Sequence, residues 1–109
     1  EKYASAIEKN RLISAPSKFP DSEHGWHQYC VKVEDSEHFI AHMTEHDIDA
    51  RVFYSTPCHQ HPVYSTHPQH NETLGITESI CKRLVAIPIH HGLTDEERKR
   101  VVSALENYC

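Results

Sequence analysis

A run rich in Pro, His, Ser and Thr occupies residues 55–72 and divides the chain. Such a composition reads as a long loop, and a loop of this length without structure of its own is often functional. It leaves only short periodic stretches on either side. The chain has 109 residues, enough for one domain and not two, so residues 1–109 are read as a single unit. Hydrophobic residues make up 38% and charged residues 25%. This is an ordinary globular composition, unlike that of a disordered tail. A core in so short a chain is modest, and a neighbouring domain could lend it stability. The chain opens on Glu1 and holds one methionine, Met43, as a fragment or a processed chain would.

The flanking stretches give an order of elements. Residues 2–12 read as a short helix with a weak apolar face of Tyr3, Ala4, Ala6 and Ile7. Ala15 to Asp21 breaks it, because Pro16 and Pro20 remove donors and bias their predecessors away from helix. His27 to Val33 alternates as a strand, with His27, Tyr29, Val31 and Val33 inward and Gln28, Cys30 and Lys32 outward. His27 is therefore read as a hydrogen-bonded core histidine. Asp35 or Ser36 caps a helix over 36–47, with Glu37 in its first turn and Phe39, Ile40 and Met43 as its buried stripe. Ala50 to Tyr54 reads as a second strand. Beyond the loop, Ile76, Ile80 and Leu84 mark a third helix, and Val85 to Ile89 a third strand. Thr94-Asp95-Glu96-Glu97 is a capping box that opens a last helix over 95–107, burying Val101, Val102, Leu105 and Tyr108. The expected fold is α+β: a small antiparallel or mixed sheet of about three strands with helices packed on one face.

Composition excludes several functions. The formal charge is −5 and the basic residues are scattered, so no nucleic-acid partner is expected. No apolar stretch approaches the roughly 20 residues that span a bilayer. Cys30, Cys58, Cys81 and Cys109 are widely spaced without a CxxC pair, which suits reduced thiols in the cytoplasm. The densest chemical cluster is Cys58-His59-Gln60-His61, with His67 and His70 beyond it. Imidazoles and a thiol can bind zinc, but this spacing fits no finger or metalloenzyme template. A His-rich surface loop is the plainer reading. A metal-binding or interaction module is the alternative, and as a metal site it requires His59, His61, His67 or His70 to converge. Catalysis by Cys58 with His59 or His61 is disfavoured, since adjacent residues rarely orient their side chains toward each other. The glycines are Gly25, Gly75 and Gly92, and none builds a phosphate loop.

Four words occur in order along the chain: HQYCVKV at 27–33, RVFYSTPCHQHPVY at 51–64, LG at 74–75, and AIPIHHGLTDEE at 86–97 followed by VVSAL. Together they resemble the C-terminal segment of the DegT/DnrJ/StrS family of aminotransferases, over roughly residues 24–106. The resemblance implies the small C-terminal domain of a homodimeric fold-type I enzyme. Its large domain, absent here, would carry pyridoxal phosphate on a lysine. Such an enzyme moves an amino group onto a keto group of a nucleotide-linked sugar, for polysaccharide or deoxyamino-sugar synthesis. Tyr54 and His59 match the family's strand-then-loop motif and are implied substrate-binding residues, with Pro57 supplying the turn. Phe53 stands where the family often has His, Cys58 where it often has Leu, and Asp47 where Gly is common. His27 and Tyr29 match the strand word, and Pro88, His90 and Leu93 the closing word. None of Lys2, Lys9, Lys18, Lys32, Lys82 and Lys99 has the setting of the family's cofactor lysine, so no catalytic, cofactor or metal residue is assigned within the chain. Alone, the chain is expected to be inactive.

Overall fold

A computed structural model describes residues 2–109. The elements are α1 (Lys2–Ile7), β1 (Ile13–Ser14), β2 (Tyr29–Val33), α2 (Ser36–Glu45), α3 (Gly75–Cys81), β3 (Leu84–Ile87) and α4 (Asp95–Asn107), with short 3₁₀ turns at Cys58–Gln60 and Pro62–Tyr64. The three strands form one antiparallel sheet in the order β1-β2-β3.

The capping box opens α4 where the sequence predicts it. The Glu97 N–H donates to Thr94 Oγ1 at 3.2 Å, and the Thr94 N–H donates to Glu97 Oε2 at 2.8 Å. Asp35 caps α2 by accepting from the His38 N–H at 2.9 Å. At the other end of α2, Asp47 takes a left-handed conformation, φ 56°. The Ile48 N–H reaches Met43 O and the Asp47 N–H reaches Thr44 O. This is the Schellman closure, in which glycine is favoured at the left-handed position and an apolar residue follows. Ile48, which follows, is buried.

Register decides the core. Ile13 pairs with Val33, Val31 with Val85 and Tyr29 with Ile87. Paired residues share a face of the sheet, and all six are buried. Tyr3, Ala6 and Ile7 of α1, Phe39 and Met43 of α2, and Val101, Ala104 and Leu105 of α4 complete the same cluster. Tyr108 closes it, with its ring edge-on to Phe39 at 5.0 Å.

Several expectations need correction. Residues 50–54 form no strand: Arg51 bridges Ala86 through two backbone hydrogen bonds, and then the chain leaves the sheet. The third strand is instead β1, two residues long. The first helix stops at Ile7 instead of residue 12, because Asn10 turns away to bond elsewhere. Its Nδ2 donates to Leu105 O at 3.0 Å and Tyr108 O at 2.7 Å, satisfying carbonyls at the end of α4. His27 is exposed and precedes β2. Pairing with β3 begins only at Tyr29, opposite Ile87, so His27 has no sheet neighbour to cover it. No residue of α3 is buried, and Leu84 belongs to β3.

Candidate functional site

The segment from Asp49 to Cys81 carries the residues singled out for chemistry. It begins at the sheet edge, where Arg51 Nε donates to both carboxylate oxygens of Asp49 at 3.0–3.1 Å. That bond is the main cause holding the Asp49 carboxyl below its usual range. His27, outside the core, lines a shallow pocket of about 250 Å³ together with Arg51 and Phe53. The Phe53–Tyr54 peptide bond is cis. Tyr54 is 75% exposed, which leaves its hydroxyl open to a ligand.

Pro57 is buried and extended, and it feeds the Cys58–Gln60 turn. The turn directs the His59 side chain, 11% exposed, toward α3. His59 Nε2 lies 3.2 Å from Glu78 Oε1. The same oxygen accepts from the Leu74 N–H at 2.9 Å. Leu74 precedes α3 and has no side chain able to cap it, so Glu78 satisfies that donor from within the helix. The hydrogen bond from Leu74, then the one from His59, holds the Glu78 carboxyl below the ordinary range. Both hydrogen bonds favour the charged form. With the carboxylate accepting, His59 carries its proton on Nε2, and Nδ1 is the nitrogen left for other work. Glu78 was missed in the sequence. A glutamate in the first turn of a helix without an N-cap was the available signal.

The two residues implied as substrate contacts thus have different settings. Tyr54 is open, whereas His59 is oriented by a carboxylate. No hydrogen bond joins them among the described residues. Cys58, His59, Tyr64, His67, Gln69 and His70 line a small pocket of about 230 Å³. His67 Nδ1 accepts from the Gln69 N–H at 3.2 Å, and His70 Nδ1 is buried without a partner. His59, His67 and His70 thus border one pocket without His61, yet they are not arranged as the ligand set that the metal alternative requires. Among the described residues, no group of three or more His, Cys, Asp or Glu is arranged to hold a metal ion. All four cysteines are free, and Cys58 is exposed.

Apolar exposure concentrates in this same segment. Phe53, Tyr54, Val63, Tyr64, Leu74, Ile76 and Ile80 are all exposed large hydrophobics, Val63 and Ile76 at 77% and 80%. Elsewhere among the described residues Leu12 and Phe19 are the exposed large hydrophobics, Phe19 at 84%. The six lysines are all exposed. Pyridoxal phosphate chemistry needs a sequestered lysine, an acid for the ring nitrogen and a phosphate cradle. Among the described residues no lysine is sequestered, so the side chains present do not fit that set. No helix among the described residues is long and apolar enough to cross a membrane.

Comparison with known proteins agrees with the fold. A dTDP-3-amino-3,6-dideoxy-alpha-D-galactopyranose transaminase of Aneurinibacillus thermoaerophilus is 34% identical over 92% of this chain and 27% of its own length. The crystal structure of Streptomyces venezuelae DesV in complex with a ketimine intermediate superposes with a TM-score of 0.90 at 25% identity, over 98% of this chain and 29% of that one. NtdA of Bacillus subtilis, solved with bound cofactor PMP, gives a TM-score of 0.80 at 22% identity, over 95% of this chain and 25% of that one. The chain therefore spans about a quarter of the length of these relatives. Residues 1–106 match the DegT/DnrJ/EryC1/StrS aminotransferase family, and the chain belongs to that family.

Proposed function

We propose that residues 1–109 form the C-terminal small domain of a pyridoxal-phosphate-dependent sugar aminotransferase. The whole enzyme would transfer an amino group to a keto group of a nucleotide-linked sugar, in the cytoplasm, as a homodimer. The chain supplies a wall of the substrate cleft and is inactive alone. The observation that carries this reading is the exposed apolar set between Phe53 and Ile80. Large patches of this kind mark surfaces that meet another body. Here that body would be the remainder of the enzyme, corresponding to the other three-quarters of the relatives' length. Within the cleft, Tyr54 offers a hydroxyl to the sugar or its phosphates, and His59, set by Glu78, offers its second nitrogen.

The test is an aminotransfer assay with a dTDP-linked keto sugar and glutamate. The expected result is activity in the full-length protein containing this chain and none in the chain alone. Tyr54→Phe in the full-length protein should raise KM for the sugar more than it lowers kcat. A full-length protein that binds pyridoxal phosphate but aminates no nucleotide-linked keto sugar would overturn the substrate reading.

A further inference from the structure

A second cleft, of about 540 Å³, lies between α1, the approach to β2 and the start of α4. It uses neither Tyr54 nor His59. Its wall is a series of rings. His24, which does not itself line the cleft, stacks on Trp26 with centroids 4.1 Å apart and planes at 24°. Trp26 meets Tyr29 at 4.8 Å, and Tyr29 meets Tyr3 edge-on at 5.5 Å. The left-handed backbone of Trp26, φ 45°, is costly for a bulky residue. Such strain persists only where the surroundings hold it, and it gathers at ligand clamps.

Lys18 Nζ sits 5.9 Å from the centre of the Trp26 ring, and two further cations border the cleft. Lys2 and Arg98 both line the cleft. One Arg98 amino group bonds the Asp95 carboxylate, while its Nε is buried and has no acceptor. The Arg98 side chain as a whole is 41% exposed and lines the cleft, so its guanidinium can still meet an anion there. The Tyr3 hydroxyl already donates its proton to Pro88 O at 2.8 Å, so its oxygen offers a ligand no donor. The donors facing an anion are therefore those of Lys2 and Arg98, with the His90 ring beside them, and the Asp95 carboxylate opposes both cations.

We propose that this cleft binds a planar aromatic ring bearing an anionic group, either a carboxylate or a phosphate. The ring lies against Trp26 and Tyr29, and the anion accepts from Arg98 and Lys2. Aromatic faces supply stacking that is tolerant of ring type, and the guanidinium fork suits planar oxyanions.

Trp26 is the only tryptophan, so its fluorescence reports on this wall directly. The chain is titrated with phenyl phosphate and, separately, with benzoate, to distinguish the two anions. Benzyl alcohol and inorganic phosphate serve as the neutral-ring and ringless controls. At least one aromatic anion should quench Trp26 saturably and bind about tenfold more tightly than either control. Arg98→Met should weaken that binding by about tenfold. If circular dichroism shows that variant unfolded, Lys2→Met carries the test, with about threefold weakening expected. Ligand-induced shifts of the Tyr29 and Leu93 backbone amides provide a second readout. The proposal is overturned if neither aromatic anion saturates, if benzyl alcohol binds equally well, or if the folded cation variant binds as tightly as the parent.

Discussion

The chain consists of two regions with opposite packing. On one face of the sheet, α1, α2 and α4 close over β2 and β3 so completely that Phe39, Met43, Val31 and Leu105 lose essentially all contact with solvent. Between Phe53 and Ile80, by contrast, side chains of similar size stand in water, and α3 buries nothing. The two regions do not differ in apolar content so much as in what covers it. The first is a finished core. The second leaves its large apolar side chains uncovered, although its His59–Glu78 pair orients an imidazole that is itself only 11% exposed.

This contrast can be broken most sharply by truncation in each region. Phe39→Ala should cost about 3–5 kcal/mol, as expected for a buried aromatic that leaves a cavity. Ile76→Ala in the isolated chain should stay within about 0.5 kcal/mol. Denaturant melts of both variants check the pair, and comparable losses would abolish the distinction between the regions. Asn10→Ala should come next, at about 2 kcal/mol, since it strands the carbonyls of Leu105 and Tyr108. Asp47→Gly runs the other way. It should raise stability by about 1 kcal/mol, because glycine adopts the left-handed position at the end of α2 without a Cβ penalty.

The smallest effect concerns pH. The Glu78 carboxyl lies below its ordinary value in the folded state. Its contribution is thus present above the unfolded value of about 4.3 and is lost as pH falls through the lower folded value. Glu78→Gln should flatten the acid side of the stability curve slightly, with the change seen in melts on either side of that range. Asp49, Asp95 and Glu97 are shifted in the same direction and remain in the variant, so the slope is not abolished.

What the sequence made legible follows the same division. Helix α4 was readable to its ends, because the Thr94 box and the Val101, Leu105 and Tyr108 periodicity point to one answer. Helix α2 and the Tyr29–Val33 alternation were readable for the same reason. Ile13–Ser14 was not, since a two-residue strand has no period and exists only through its pairing with Val33 and Lys32. Ala50 to Tyr54 had the composition of a strand, but pairing ended after Arg51, and local propensity cannot override the absence of a partner. His27 failed because the β2–β3 ladder ends at Tyr29 and Ile87, short of it. In the site, Tyr54 and His59 came from family resemblance, not from spacing. Glu78 lies far from His59 in sequence, so their contact depends on how the loop folds back on α3.

The central claim is that the Phe53–Ile80 segment is covered in the intact enzyme. Hydrogen–deuterium exchange of this chain alone and within the full-length protein tests it most directly. The account predicts that amides between residues 53 and 80 gain protection in the full-length protein, while those of 95–107 stay unchanged. Equal exchange of the 53–80 segment in both settings would contradict it.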